Sequence, residues 1–124
     1  MVRVPGRTIS DQETDAILRV KRDWILRRCA DAALQPVQIV AFGSAAKGRL
    51  REDSDIDIAV IFADDDEVAR GRRAVTESPR EDLWPMDLLF YARRVFEQRA
   101  NRGGVCSIIR AEGTVLFDRQ GEYT

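Results

Sequence analysis

Phe42-Gly43-Ser44-Ala45-Ala46-Lys47-Gly48-Arg49-Leu50-Arg51-Glu52-Asp53-Ser54-Asp55-Ile56-Asp57 is the stretch that decides the fold. It joins two apolar runs through a Gly-Ser turn and a charged loop. Val37 to Phe42 before it is short and largely apolar, as a buried strand requires. Gly43 breaks that strand, and Ser44 to about Leu50 is predicted to form a short helix. Asp55 to Phe62 reads as a second strand. Alternation puts Ile56, Ile58, Val60 and Phe62 on one face and Asp55, Asp57, Ala59 and Ile61 on the other.

Working outward, Ser10 with Glu13 three residues later forms a capping box. The helix it starts is predicted to run to about Leu34, ending before Pro36. Ile17, Val20 and Trp24 would share one face, with Ile25 and Cys29 beside them. Asp64-Asp65-Asp66-Glu67 opens a helix of about 12 residues, with Arg70, Arg72 and Arg73 in its later part. Acid in front and base behind complement the helix dipole. Leu83 to Tyr91 is a third strand, interrupted only by Asp87. Arg93 to about Asn101 and Val105 to Glu112 are helical, with Gly113 as the stop of the second. Thr114 to Phe117 is a final strand. The alternation predicts an α/β (α+β) fold, a small mixed sheet of about four strands flanked by helices.

At 124 residues the chain is expected to form a single domain, 1–124, with a helical segment over 1–35 and a core over 36–118. Hydrophobic content of 44% and charged content of 33% are ordinary for a globular protein. A net charge of −1 argues against direct, stable nucleic-acid binding, which needs a positive field. The bases are eighteen Arg and two Lys, and Arg grips phosphates and carboxylates in a fixed geometry. No apolar stretch approaches the roughly 18 residues of a membrane span, and Met1 to Ser10 lacks the apolar core of a signal peptide. With no His and only Cys29 and Cys106, zinc sites and His-based triads or dyads are excluded. Two reduced cysteines suit a cytoplasmic protein. Chemistry must rest on carboxylates, Arg or Lys, hydroxyls and bound ions.

Gly43-Ser44 after a strand can let backbone N–H groups and a hydroxyl approach a phosphate; it can equally be a plain turn with Ser as a helix cap. Gly43 and Gly48 have Walker spacing, but Arg49-Leu50 follow where Lys and Ser/Thr are needed, which rejects a P-loop. Asp53-Ser54-Asp55-Ile56-Asp57 resembles the start of an EF-hand loop. Ile58 occupies the position of the turn Gly and Asp64 that of the bidentate Glu, so that reading fails too. What survives is Asp55 and Asp57, two apart on a strand and roughly 6.5–7 Å apart along it. Asp is unfavourable within strands, so a metal site explains the pair better than two solvated acids. Two magnesium ions can be shared by such a pair and triphosphate oxygens. Asp87, alone in an apolar run, would be a costly burial unless it met a metal or an Arg partner. If its strand adjoins the second one, three carboxylates converge. Lys47 can reach triphosphate oxygens or simply be solvated.

Phe42-Gly43-Ser44, Gly48, Ser54-Asp55-Ile56-Asp57, Asp87 on a later strand, and Glu112-Gly113-Thr114-Val115-Leu116-Phe117-Asp118 together resemble the nucleotidyltransferase superfamily that includes DNA polymerase β. In particular they resemble its minimal nucleotidyltransferases, the MNT family, over about residues 36 to 118. The resemblance implies the polymerase β-like fold and transfer of a nucleoside monophosphate, usually AMP from ATP, to a hydroxyl. It implies that Gly43 and Ser44 hold the β,γ-phosphates. Asp55 and Asp57 would bind both Mg2+ ions, or Mn2+ in their place. Asp87 would complete one metal site and help deprotonate the acceptor. Ala45 and Lys47 stand where relatives often carry other basic residues, and Met86 precedes Asp87 where a β-branched residue is usual.

The chain ends just after this core, so the acceptor site is expected on a partner. The resemblance implies a HEPN-domain toxin, neutralised by its nucleotidyltransferase antitoxin, in some cases through AMP added to a tyrosine. A non-catalytic module that silences its partner by contact is the alternative from another class. Modification of an aminoglycoside-like small molecule is a third reading, which a homodimer forming a cleft would favour.

Overall fold

The computed structural model describes residues 6–77, 79 and 84–121. In chain order the elements are α1 (Asp11–Asp31), β1 (Gln38–Phe42), β2 (Ile56–Phe62), α2 (Asp65–Thr76), β3 (Met86–Ala92), α3 (Arg93–Ala100), α4 (Val105–Glu112) and β4 (Thr114–Asp118). The four strands form one mixed sheet in the order β3-β2-β1-β4. β1 is antiparallel to both β2 and β4, whereas β2 and β3 are parallel. A parallel pair needs a crossover, and α2 supplies it. The predicted fold class and the number of strands agree with this arrangement.

Both faces of the sheet are covered. Ile56, Ile58, Val60 and Phe62 of β2 pack with Ile39 and Ala41 against Leu18, Trp24, Ile25 and Cys29 of α1 and Val75 of α2. Ala59 and Ile61 pack with Val40 against Phe96 and Ala100 of α3 and Cys106 and Ile109 of α4. The alternation read in β2 is therefore the division between two half-cores. Gly71 packs on the first half-core: a Cβ there would overlap Phe62 Cζ and lie 2.7 Å from Cε1 and Cε2, so α2 sits directly on that ring.

Helix starts follow their sequence signals. Ser10 Oγ accepts from Glu13 N at 3.1 Å, and Asp64 Oδ1 accepts from Glu67 N at 2.9 Å, each satisfying an orphan donor of the first turn. Helix α1 stops at Asp31 rather than near Leu34. Leu34 N donates to Cys29 O and Ala33 N to Ala30 O, the paired bonds of a Schellman motif. Ala33 takes the left-handed conformation there, at φ 57°.

Three expectations are corrected. Val20 is not on the buried face of α1; it is 56% exposed, and Lys21 is buried instead. Its Nζ donates to Trp84 O at 2.7 Å, so the ammonium enters the interior to hold a carbonyl. The stretch from Ser44 to Leu50 is a series of turns, not a helix. Lys47 N is shared between Gly43 O and Ser44 O, Arg49 N returns to Ser44 O, and Gly48 at φ 68° ends the coil after a single turn. Asp87 is exposed, because β3 is an edge strand. Leu83, the expected start of that strand, lies outside the described residues.

Candidate active site

The end of β1 and the starts of β2 and β3 meet at one end of the sheet. Phe42 pairs with Asp57, and Asp57 pairs with Asp87. Gly43, Asp57 and Asp87 thus fall on adjacent strand ends, and adjacent strands run about 4.8 Å apart. Gly43 has φ 69°, a conformation that glycine adopts without a steric penalty. A Cβ on it would overlap Asp57 Oδ2. The glycine is required both by the turn and by the carboxylate beside it.

Asp55 and Asp87 are exposed and Asp57 is half-buried. The Asp57 carboxyl is held above its ordinary range, first by burial, then by the negative charges of Asp87 and Asp55. The three acids therefore share one electrostatic field. Among the described residues no three carboxylates or thiols stand close enough together to hold a metal ion as they lie; Asp55 and Asp87 are turned to solvent. An open set of carboxylate oxygens suits a hard divalent cation that keeps other oxygen ligands.

The loop before Asp55 is fixed from two sides. Trp84 Nε1 donates to Ser54 O at 2.9 Å, and Ile56 N donates to Pro85 O at 3.0 Å. Lys21 in turn holds the Trp84 carbonyl, so a relay runs from α1 through Trp84 to the residue preceding Asp55. The periodicity of α1 gives Lys21 no role. The available signal was a lysine three residues after Leu18 and four before Ile25, inside the buried stripe. On the other side of the loop, Ile9 N donates to Leu50 O and Glu52 N to Arg7 O. The buried Glu52 carboxylate accepts from the Arg7 guanidinium, with the Nε contact at 2.8 Å. The segment preceding α1 thus straps the loop down.

Ser44 follows Gly43 at the turn and is half-buried. Lys47 is exposed and forms an ion pair with Glu112 Oε1 at 3.2 Å. Glu112 leads into Gly113, where a Cβ would overlap Ile109 O of α4 and Val40 and come within 3.2 Å of Ala41 O. Gly113 has φ −71°, so it is selected by close packing against the end of α4 and against β1, not by a left-handed stop. That contact sets the α4–β4 joint beside the strand carrying Gly43. Arg49 and Arg51 are exposed.

The structure therefore brings Gly43, Asp55, Asp57 and Asp87 to one end of the sheet, with Ser44 next in the chain and Lys47 tied to Glu112. No helix among the described residues is long and apolar enough to cross a membrane. A crystal structure from Sulfolobus solfataricus, assigned as a nucleotidyltransferase, shares the fold with a TM-score of 0.61, covering 96% of each chain at 18% identity. No curated protein sequence matches the chain. The family model for the nucleotidyltransferase domain matches residues 22–114, which include the strap-held loop and all three acids. The chain belongs to the nucleotidyltransferase domain family.

Proposed function

We propose that the protein transfers AMP from ATP to a hydroxyl on a partner protein, a HEPN-type toxin whose antitoxin it is. The observation that carries the catalytic part is Asp57. It lies between Phe42 and Asp87 in the ladder with Gly43 against its carboxylate, and burial and two acids raise its carboxyl. Such a cluster is costly by itself and is relieved by a divalent cation. Asp55, Asp57 and Asp87 would hold Mg2+, two ions in the family's manner, with Mn2+ as a substitute. When bound, the ions neutralise the triphosphate and polarise the phosphoryl group being transferred.

The chain's own residues supply the rest. Gly43 and Ser44 offer a turn that a phosphate can approach closely. Lys47 is exposed in its pair with Glu112. Such a pair contributes about 0–1 kcal/mol, so Lys47 can exchange Glu112 for a triphosphate oxygen at little cost. Asp87, exposed at the sheet edge, would accept the acceptor's proton. The hydroxyl oxygen forms a bond to the α-phosphorus, the bond to pyrophosphate breaks, and pyrophosphate leaves. Catalysis of this type is mostly positioning and charge neutralisation. The partner's identity is supported by the resemblance to minimal nucleotidyltransferases.

The test mixes the purified protein, magnesium and α-labelled ATP with the product of the adjacent gene. Label is expected on the neighbour and is lost with Asp55→Asn or Asp57→Asn. No label, with a tight complex that survives both substitutions, would replace the enzyme with a module that acts by contact. Label on an aminoglycoside-like alcohol and none on protein would move the reaction to small molecules.

A further inference from the structure

β3 carries Asp87 at its second position and is the outermost strand beyond β2. Its outer backbone groups meet no other strand among the described residues. From Leu88 to Tyr91 it is half-buried and lines a groove of about 420 Å3 that continues away from Asp87. Two guanidiniums stand over this strand. Arg72 of α2 lies over the Phe90 ring at 5.5 Å, and Arg99 of α3 lies over the Tyr91 ring at 5.9 Å. Phe90 packs with the α1–α2 half-core and Tyr91 with the α3–α4 half-core, so the two cations flank the strand on opposite faces. Both arginines are exposed, and among the described residues neither forms an ion pair. The Tyr91 phenol is pushed up to about 12, first by burial and then by a hydrogen bond with Cys106, so it remains neutral and leaves Arg99 uncompensated.

We infer that the free edge of β3 receives the acceptor polypeptide as an added extended strand, with acidic side chains of that strand meeting Arg72 and Arg99 and its hydroxyl residue beside Asp87. The inference rests on the reading that the acceptor is a protein hydroxyl, and it names the part of the acceptor that is recognised. Strand addition takes affinity from main-chain hydrogen bonds and specificity from alternate side chains. Unpaired edges are commonly guarded by charge; here the guarding cations also create a demand for acid.

The register fixes the spacing. Asp87 and Tyr91 are four residues apart and share a face, roughly 13 Å apart along the strand. Phe90 is three residues from Asp87 and faces the other side. An added strand with its hydroxyl residue opposite Asp87 therefore needs acids three and four residues away, beyond the hydroxyl in parallel addition and before it in antiparallel addition. The hydroxyl proton passes to the Asp87 carboxylate as the new bond to the α-phosphorus forms and pyrophosphate departs.

Four twelve-residue peptides test this, each with one tyrosine. Two carry glutamates at the third and fourth positions after or before it, and two carry lysines there. With magnesium and α-labelled ATP, one glutamate peptide should label with a KM at least tenfold below that of its lysine counterpart. The doubly reversed variant Arg72→Glu/Arg99→Glu should invert the preference, and labelling of the lysine peptide shows that variant to be folded. Equal use of glutamate and lysine peptides, or labelling of no peptide while the genomic neighbour is labelled equally by wild type and the reversed variant, overturns strand addition and leaves the protein-acceptor reading standing. Label confined to a small alcohol, with no protein or peptide labelled, overturns both.

Discussion

Gly43 and Asp57 meet across the end of the β1–β2 ladder with no room between them for another carbon. A Cβ on Gly43 would overlap Asp57 Oδ2 and lie 3.4 Å from its Cγ, and the backbone there has φ 69°. Gly43→Ala must therefore displace the carboxylate that sits centrally in the cluster. A left-handed alanine costs about 1–2 kcal/mol, which a domain of this size can survive. A misplacement on the order of 1 Å costs about 100-fold in rate. The variant should stay folded and lose label transfer by about that factor. A folded Gly43→Ala protein with wild-type transfer would detach this contact from catalysis.

Asp57 also predicts an opposition between stability and activity. Its carboxyl is raised in the folded state, and the sign follows from that. A raised acid binds its proton more tightly when folded, so the native protein loses stability as pH rises from the unfolded pKa through the folded one. Above the folded pKa that loss is complete. Asp57→Asn should therefore raise the thermal midpoint in a chelator while abolishing transfer. Magnesium should stabilise wild type and leave the variant unmoved. A lower midpoint for Asp57→Asn in chelator would show that the carboxylate is satisfied by the protein itself.

Gly71 sets two effects against each other. Replacing a helical glycine with alanine gains about 1 kcal/mol of propensity. Here the added methyl would overlap Phe62 Cζ, and Phe62 is fully buried, so the ring cannot swing away. Overpacking of this kind costs about 1–3 kcal/mol and outweighs the gain. Denaturant unfolding of Gly71→Ala should show a net loss of up to about 2 kcal/mol, and a net gain would mean that the half-core yields more easily than its packing implies.

Much of this was legible because local signals and burial agreed. Ser10 and Asp64 cap their helices by chemistry that is complete within four residues. The alternation of β2 was clear because both faces of that strand are covered. The convergence of Asp57 and Asp87 depended on parallel pairing, which sequence could state only conditionally. The readings that failed concern exceptions to the polar-out rule. Lys21 is buried because a carbonyl awaits its ammonium, and placing it in the stripe rotates the buried face of α1 away from Val20. Asp87 was expected to be enclosed because its neighbours are apolar, yet Leu88 to Tyr91 are themselves only half-buried at an edge. The stretch after Ser44 has helical composition, but a left-handed Gly48 closes it after one turn.

Trp84 separates positioning from chemistry. Its indole N–H donates to Ser54 O at 2.9 Å, directly before Asp55, and its carbonyl is held by Lys21. Trp84→Phe keeps an aromatic body in the core and removes the donor. A hydrogen bond of this kind contributes about 0.5–1.5 kcal/mol, so the fold should persist with a modestly lower midpoint. The Asp55 segment loses a tether, and transfer should fall about tenfold in kcat with the KM for ATP raised as well. Trp84→Tyr offers a second reading of the same site, since its hydroxyl leaves from a different point of the ring and does not restore the bond. If Trp84→Phe lowers stability alone and leaves both kinetic constants intact, the relay from α1 is structural and Asp55 is held by β2 alone.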